Sequence, residues 1–233
     1  MMRLDKFLAD MGCGTRSELK KEIRKGNVTV SGRTVNDPGT QVSAADSVMY
    51  KGSPVGYEDF VYYMLNKPAG VISASEDRRE ATVVDLITEQ KRRDLFPVGR
   101  LDRDTEGLLI ITNDGEMAHR LLSPRHHVDK LYRAVVAGSV TEADIQAFAD
   151  GLVLPDGLEC LPAELRVLSA ASEIEVVIRE GKFHQIKRMF KAIGKDVLYL
   201  ERLSMGPLRL DPELARGEYR RLTDEEVRLL KDI

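Results

Sequence analysis

Along the first sixty residues the apolar positions change period twice. In RLDKFLADMG, Leu4, Phe7, Leu8 and Met11 recur at helical spacing, and the run stops at Gly12. GTRSELKKEIRKG starts a second helical run with Thr15 and Glu18 three apart, the spacing at which a hydroxyl and a carboxylate cap each other's backbone, and Gly26 ends it. NVTVSGRTVN then alternates apolar and polar positions on either side of Ser31-Gly32, which predicts a hairpin, and DSVMYKGSPV repeats the pattern more weakly. Two short helices and two hairpins are therefore expected to form one small domain over residues 1–58.

A polar connection near Gly56 to Asp59 opens a larger second domain, 59–233. FVYYMLNKPAGVISA reads as strand, Pro68/Gly70 turn and strand, and TVVDLI as a short helix after Thr82. A helix near Glu116 to Leu122, the strand KLYRAVVAG, and the helix EADIQAFADG capped by Thr141 follow. Then come the strand EIEVVIREG, the helix FHQIKRMFKAIG, two or three strands, and a last helix DEEVRLLKDI capped by Thr223. Strands and helices mix without a strict βαβ rhythm, so the predicted class is α+β with a mainly antiparallel mixed sheet.

Charge refines this picture locally rather than globally. The 233 residues sum to −3, which argues against holding nucleic acid by bulk positive charge. From Arg16 to Arg33, however, six Lys/Arg face two acids, leaving +4 there and −7 elsewhere. At about 100° per residue, Lys20, Lys21, Arg24 and Lys25 fall within an arc of roughly 140°, with Leu19 and Ile23 on the other side. Cys13 and Cys160 stand far apart and outside any C-x-x-C pair, which points to buried or idle thiols and no metal site. No apolar run approaches the ~20 residues of a membrane span, and charges interrupt the N-terminus where a secretory signal needs an apolar core. A cytoplasmic protein with no membrane association is expected.

GRLDRDTEGLLIITNDG crowds Asp102, Asp104 and Glu106 into a polar turn before a run ready for burial. Three accounts compete at this point. The first is a solvated turn with local capping. The second is a magnesium-binding Asp-x-Asp pair, for which the phosphate-binding motifs that should accompany it are missing. The third is an attacking carboxylate, which needs a cation beside it. Arg100 and Arg103 flank Asp102 in sequence. In REGKFHQIKRMFKAI, Ile186, Met189, Phe190 and Ile193 form an apolar stripe with Lys187 at its edge.

The N-terminal stretch RLDKFLADMGCGTRSELKKEIRKGNVTVSGRTV resembles the αL RNA-binding module of a small-subunit ribosomal protein and of many RNA-modifying enzymes. GRLDRDTEGLLIITNDG, KLYRAVVAG and REGKFHQIKRMF, in that order, resemble the core motifs of pseudouridine synthases, in particular the RsuA family acting on ribosomal RNA. The resemblance implies a pseudouridine synthase catalytic domain that isomerises a uridine of ribosomal RNA, with the small subunit favoured, without cofactor or metal. It implies catalytic roles for Asp102 as nucleophile, Tyr132 as stacking partner and candidate for removing the last proton, and Lys187 as partner of Asp102. Arg100, Arg103 and Arg188 are implied to bind substrate, and Arg3, Lys6, Arg16, Lys20, Lys21, Arg24 and Lys25 to bind RNA. Asp104, Thr105 and Glu106 are expected to support the turn, and His126-His127 to face solvent or RNA. Partners are expected to be ribosomal RNA or a subunit assembly intermediate, met by a monomer. The alternatives are a large-subunit enzyme of the same family and a non-catalytic RNA-binding assembly factor.

Overall fold

A computed structural model describes residues 1–56, 58–89, 92, 94–168 and 170–233. The chain folds into two compact units, Met1–Val61 with Ile87–Leu95, and Tyr62–Leu86 with Phe96–Ile233.

In the first unit β1 (Met2–Arg3) runs into α1 (Leu4–Asp10) and α2 (Arg16–Arg24). The start of α2 is fixed locally: Thr15 Oγ1 accepts from the Glu18 N–H, and Glu18 Oε2 accepts from the Thr15 N–H at 2.8 Å. β2 (Val28–Val30) and β3 (Arg33–Thr34) make the first hairpin, and β4 (Gln41–Val42) pairs with β1. β5 (Val48–Tyr50) and β6 (Ser53–Val55) make the second, in the order β3-β2-β5-β6. Leu4, Phe7 and Leu8 meet Leu19, Ile23, Val28, Val42 and Val48 in one core. The returning segment Ile87–Leu95 supplies the buried Arg92, whose Nη1 donates to the Glu58 carbonyl at 2.6 Å while Nε and Nη2 grip Asp94 at 2.9 and 2.7 Å.

The second unit is built on a twisted sheet. Its elements are β7 (Tyr62–Lys67), β8 (Phe96–Pro97), β9 (Glu106–Thr112), α3 (Gly115–Leu122), β10 (Lys130–Val136), α4 (Glu142–Asp150), β11 (Glu164–Val167) and β12 (Glu173–Ile178). α5 (Gln185–Ala192), β13 (Val197–Met205), β14 (Leu208–Arg209), β15 (Tyr219–Arg221) and α6 (Asp224–Lys231) complete it. The strand order is β11-β12-β10-β13-β9-β7-β15, with β14 on β13 and β8 on β9. The pairing is antiparallel except between β9 and β13, which run parallel where Glu106 and Gly107 meet Glu201 and Arg202. The class is α+β, as the irregular alternation of elements predicts. β9 is a central strand, so Leu108, Leu109, Ile110 and Ile111 are all buried and the run reads as continuously apolar. Met64, Leu108, Ile110, Met205 and Leu208 share a core with Met117 and Leu121 of α3 and Leu230 of α6. Phe148 of α4 packs on Phe190 of α5 with ring centroids 4.9 Å apart.

Two elements depart from the sequence pattern. TVVDLI forms turns rather than a helix: Asp85 Oδ2 accepts from Thr82 N and Oγ1 at 2.8 and 2.9 Å, a cap with no helix behind it. The reason is tertiary, since from Ile87 the chain belongs to the other unit. The helix expected from Phe183 begins only at Gln185, because His184 takes a left-handed φ of 48°.

Candidate active site

The acidic turn is held from behind by its own unit. Lys67, fully buried at the end of β7, donates to the carbonyls of Thr105 at 2.8 Å, Pro68 at 3.0 Å and Arg103 at 3.3 Å. The Gly70 N–H donates to the Arg103 carbonyl at 2.8 Å, and Ser73 Oγ both donates to the Leu101 carbonyl and accepts the Leu101 N–H. Burial pulls the Lys67 ammonium down to about 8, against the upward pull of Asp104, Glu106 and Asp102. Just beyond, Gly107 has φ +96° and an ideal Cβ there would lie 2.3 Å from the Arg202 carbonyl oxygen. Only glycine lets β9 approach β13 at the base of the turn.

Held this way, Asp102 presents a carboxylate that is 25% exposed to a cavity of about 60 Å³, which Tyr132, Ile178, Lys187 and Leu200 also line. Lys187 Nζ lies 3.0 Å from Asp102 Oδ2 and also bonds Asp104, so one ammonium from α5 bridges two carboxylates of the turn. Burial draws the Lys187 ammonium down, but its bonds to Asp104 and Asp102 outweigh this and leave it above its ordinary value. The same pairing with Lys187 holds Asp104 below the usual carboxylate range. Tyr132 is buried on β10, between Val176 and Arg202 of the neighbouring strands, and its hydroxyl makes no hydrogen bond among the described residues. A carboxylate with a cation against it, in a cavity lined by both polar and apolar side chains, suits attack on a planar ring or on the carbon attached to it.

The other residues singled out in the sequence distribute unevenly. Arg100 is exposed, lines the cavity, and makes no hydrogen bond or ion pair among the described residues. Arg103 lines the adjoining open cleft of about 620 Å³, donating to the Gly70 carbonyl and pairing with Glu80 at 3.2 Å. Arg188 pairs with Asp156 and donates to the Phe183 carbonyl, and does not line the cavity. Thr105 is buried, and Glu106 accepts from Tyr199 Oη and Arg216 Nε at 2.9 Å each. His126 and His127 lie exposed on a 3-10 turn and the residue after it. Cys13 and Cys160 are free thiols, the first partly and the second fully buried.

Two residues in or under the cavity went unread in the sequence. Lys67 sits in an apolar strand next to Pro68, and a lone lysine in such a run is the one local sign of a buried cation. His184, whose Nε2 is 3.4 Å from Asp102 Oδ1, had no local sign, because its left-handed backbone is set by the fold.

In the first unit, the basic residues are sorted by one buried acid. Asp5, fully buried, takes Arg3 at 3.1 Å, Arg16 at 3.2 Å and Lys20 at 3.9 Å. Burial pushes the Asp5 carboxyl up, but the bonds from Arg3 and Arg16 outweigh it and hold it below its ordinary value. Lys6 pairs with Asp10 and Lys25 with Glu22, whereas Lys21 and Arg24 are exposed with no ion pair among the described residues.

Comparison with known proteins agrees with both units. A family model described as RNA pseudouridylate synthase matches residues 61–192, and one described as S4 domain matches residues 2–48. An uncharacterized RNA pseudouridine synthase, YtzG, of Bacillus subtilis is 47% identical over 236 residues, covering 99% of each chain. Ribosomal small subunit pseudouridine synthase A of Escherichia coli K12 is 39% identical over 228 residues, covering 97% of this chain and 98% of its own. A crystal structure of a pseudouridylate synthase superposes with a TM-score of 0.70 at 37% identity, covering 99% of this chain and all of the other. An S4 domain, a sheet carrying an acidic turn over a cavity, and relatives matched end to end make this chain a member of the RNA pseudouridylate synthase family, an isomerase acting on RNA.

Proposed function

We propose that this enzyme converts a uridine of small-subunit ribosomal RNA to pseudouridine, with Asp102 as the attacking group. The observation that carries the assignment of residues is that Asp102, Tyr132 and Lys187, from three separate elements, line one cavity. The substrate class is supported by the Escherichia coli relative, named for the small ribosomal subunit.

The reaction breaks the bond between N1 of uracil and C1′ of ribose, forms one between C5 and C1′, and exchanges the proton lost from C5 for one taken up at N1. Substrate and product are isomers, so electrons and phosphate need not be supplied. Asp102 attacks either the sugar carbon or the uracil ring, and Lys187 supplies the counter-charge that keeps the attacking carboxylate oriented. Tyr132 stacks on the base and is the candidate for removing the final proton. The target uridine has first to leave its stack, which costs a few kcal/mol. Backbone contacts through Arg100, Arg103 and the cations of the first unit offset that cost.

The test is to incubate the purified protein, without added cofactor, with unmodified small-subunit and large-subunit ribosomal RNA and with small-subunit particles, then map pseudouridine by nucleotide. One modified position is expected. Formation only on large-subunit RNA would move the substrate, and none on any RNA would leave a binding protein.

A further inference from the structure

Phe183 is a large apolar side chain left 70% exposed, yet its ring is not loose. It lies flat on the imidazole of His184, with ring centroids 3.8 Å apart and planes 18° from parallel. The backbone beneath is pinned on both sides: the Lys182 N–H donates to Gln185 Oε1 at 3.0 Å, and the Phe183 carbonyl accepts from Arg188 Nη1 at 3.4 Å. His184 itself holds φ +48°, a left-handed conformation that side chains with a Cβ seldom adopt and that collects at functional sites. The result is a two-ring stack with one open face, in the wall of the same open cleft as Arg100, Asp102 and Arg103.

We propose that the open face of Phe183 is a stacking platform for the nucleobase next to the uridine that enters the cavity. The platform presupposes the isomerase function proposed above, because it needs an RNA strand at the cleft. The order of groups decides which base it takes. The uridine has to reach Asp102; the imidazole of His184 lies against Asp102, with Nε2 at 3.4 Å, and Phe183 lies on the imidazole. The phenyl ring is thus one ring further from the reacting carboxylate than the uridine's own seat, and falls to a neighbour in the strand. Charge fits the same occupant: Arg100 has no ion-pair partner among the described residues, and Arg103, although paired with Glu80, keeps 64% of its side chain exposed, so both guanidinium groups are accessible to phosphates. Stacking of this kind accepts any base, because every base has a π-face. It holds the strand in place after the uridine has left the helix.

The test separates stacking from turnover. Fragments of small-subunit ribosomal RNA carry the fluorescent base 2-aminopurine beside each candidate uridine in turn, and are bound by Asp102→Asn protein with anisotropy reporting occupancy. Quenching is expected at one labelled position. It should be lost in Phe183→Ala and Phe183→Leu at full occupancy and kept in Phe183→Trp. With Asp102 intact, Phe183→Ala and Phe183→Leu should each lower kcat/KM by about tenfold, mostly through KM, and Phe183→Tyr by no more than about threefold. Quenching that survives Phe183→Leu, or a leucine variant with unchanged kcat/KM, overturns the platform. Quenching that depends on Phe183 in a protein that forms no pseudouridine on small-subunit RNA upholds base stacking on Phe183 and overturns the substrate proposed above instead.

Discussion

The Asp102 carboxylate and the amide that could replace it have the same shape, which makes Asp102→Asn a test of chemistry rather than of fit. The substituted amide could still meet Lys187 through its carbonyl oxygen, but it cannot form the covalent bond. RNA affinity should stay within a few-fold while pseudouridine formation falls to background. Turnover above about a tenth of wild type would remove the nucleophile role, since loss of a covalent step is expected to cost far more. Lys67 offers a second test, with a sign that can be worked out. Its ammonium falls from 10.5 to about 8 on folding, so between these values the unfolded chain holds a proton that the folded one has shed. The site's contribution to stability therefore rises as pH climbs through that window, and below about 8 the folded state bears the whole cost of the buried charge. In urea titrations from pH 8 to 10, Lys67→Met should flatten that rise by up to about 1.4 kcal/mol per pH unit. Lys130, lowered by burial to about 8 as well, sustains the slope that is left. Asp102, Tyr132 and Lys187 were legible because each lies in a motif with recognisable neighbours. Lys67 and His184 were not, because the carbonyls that hold one and the backbone that turns the other depend on residues distant in the chain.

Among elements, helix starts were the most legible features because their causes are local. Thr15, Thr141 and Thr223 are each followed three residues later by an acid, and all three form reciprocal caps. Thr82 and Asp85 show the same spacing and the same hydrogen bonds, yet no helix follows, so the cap signals a turn and only burial along the next residues makes it a helix. The parallel contact of β9 and β13 was the least legible, as it joins Gly107 to a residue almost a hundred positions away. Gly107→Ala would drive a methyl group to 2.3 Å from the Arg202 carbonyl oxygen and 2.8 Å from its nitrogen, at a φ of +96°. Backbone cannot give as a side chain can, so a loss of at least about 2 kcal/mol is expected in chemical unfolding. A loss under about 0.5 kcal/mol would show that the strands part freely and that the glycine is not what sets their approach.

At the level of the whole molecule, a net charge of −3 coexists with a module built to present cations. Asp5 engages three of these, which stay about half exposed, while Lys21 and Arg24 remain without ion pairs among the described residues. Those two are therefore free to meet phosphates. Reversing both, Lys21→Glu with Arg24→Glu, should weaken RNA binding and reduce the slope of log affinity against log salt by about 2, one counterion for each lost contact. An unchanged slope would move the RNA-binding surface away from α2.

The excursion of Ile87–Leu95 has a consequence for how this chain can be cut and recombined. A fragment ending at Val61 would lack Arg92, leaving the Glu58 carbonyl without its guanidinium donor, and a fragment starting at Tyr62 would carry nine residues with nothing of their own unit to pack on. Replacing the amino-terminal module of this chain thus needs two grafts rather than one, and a chimera joined at a single seam should be the less stable product.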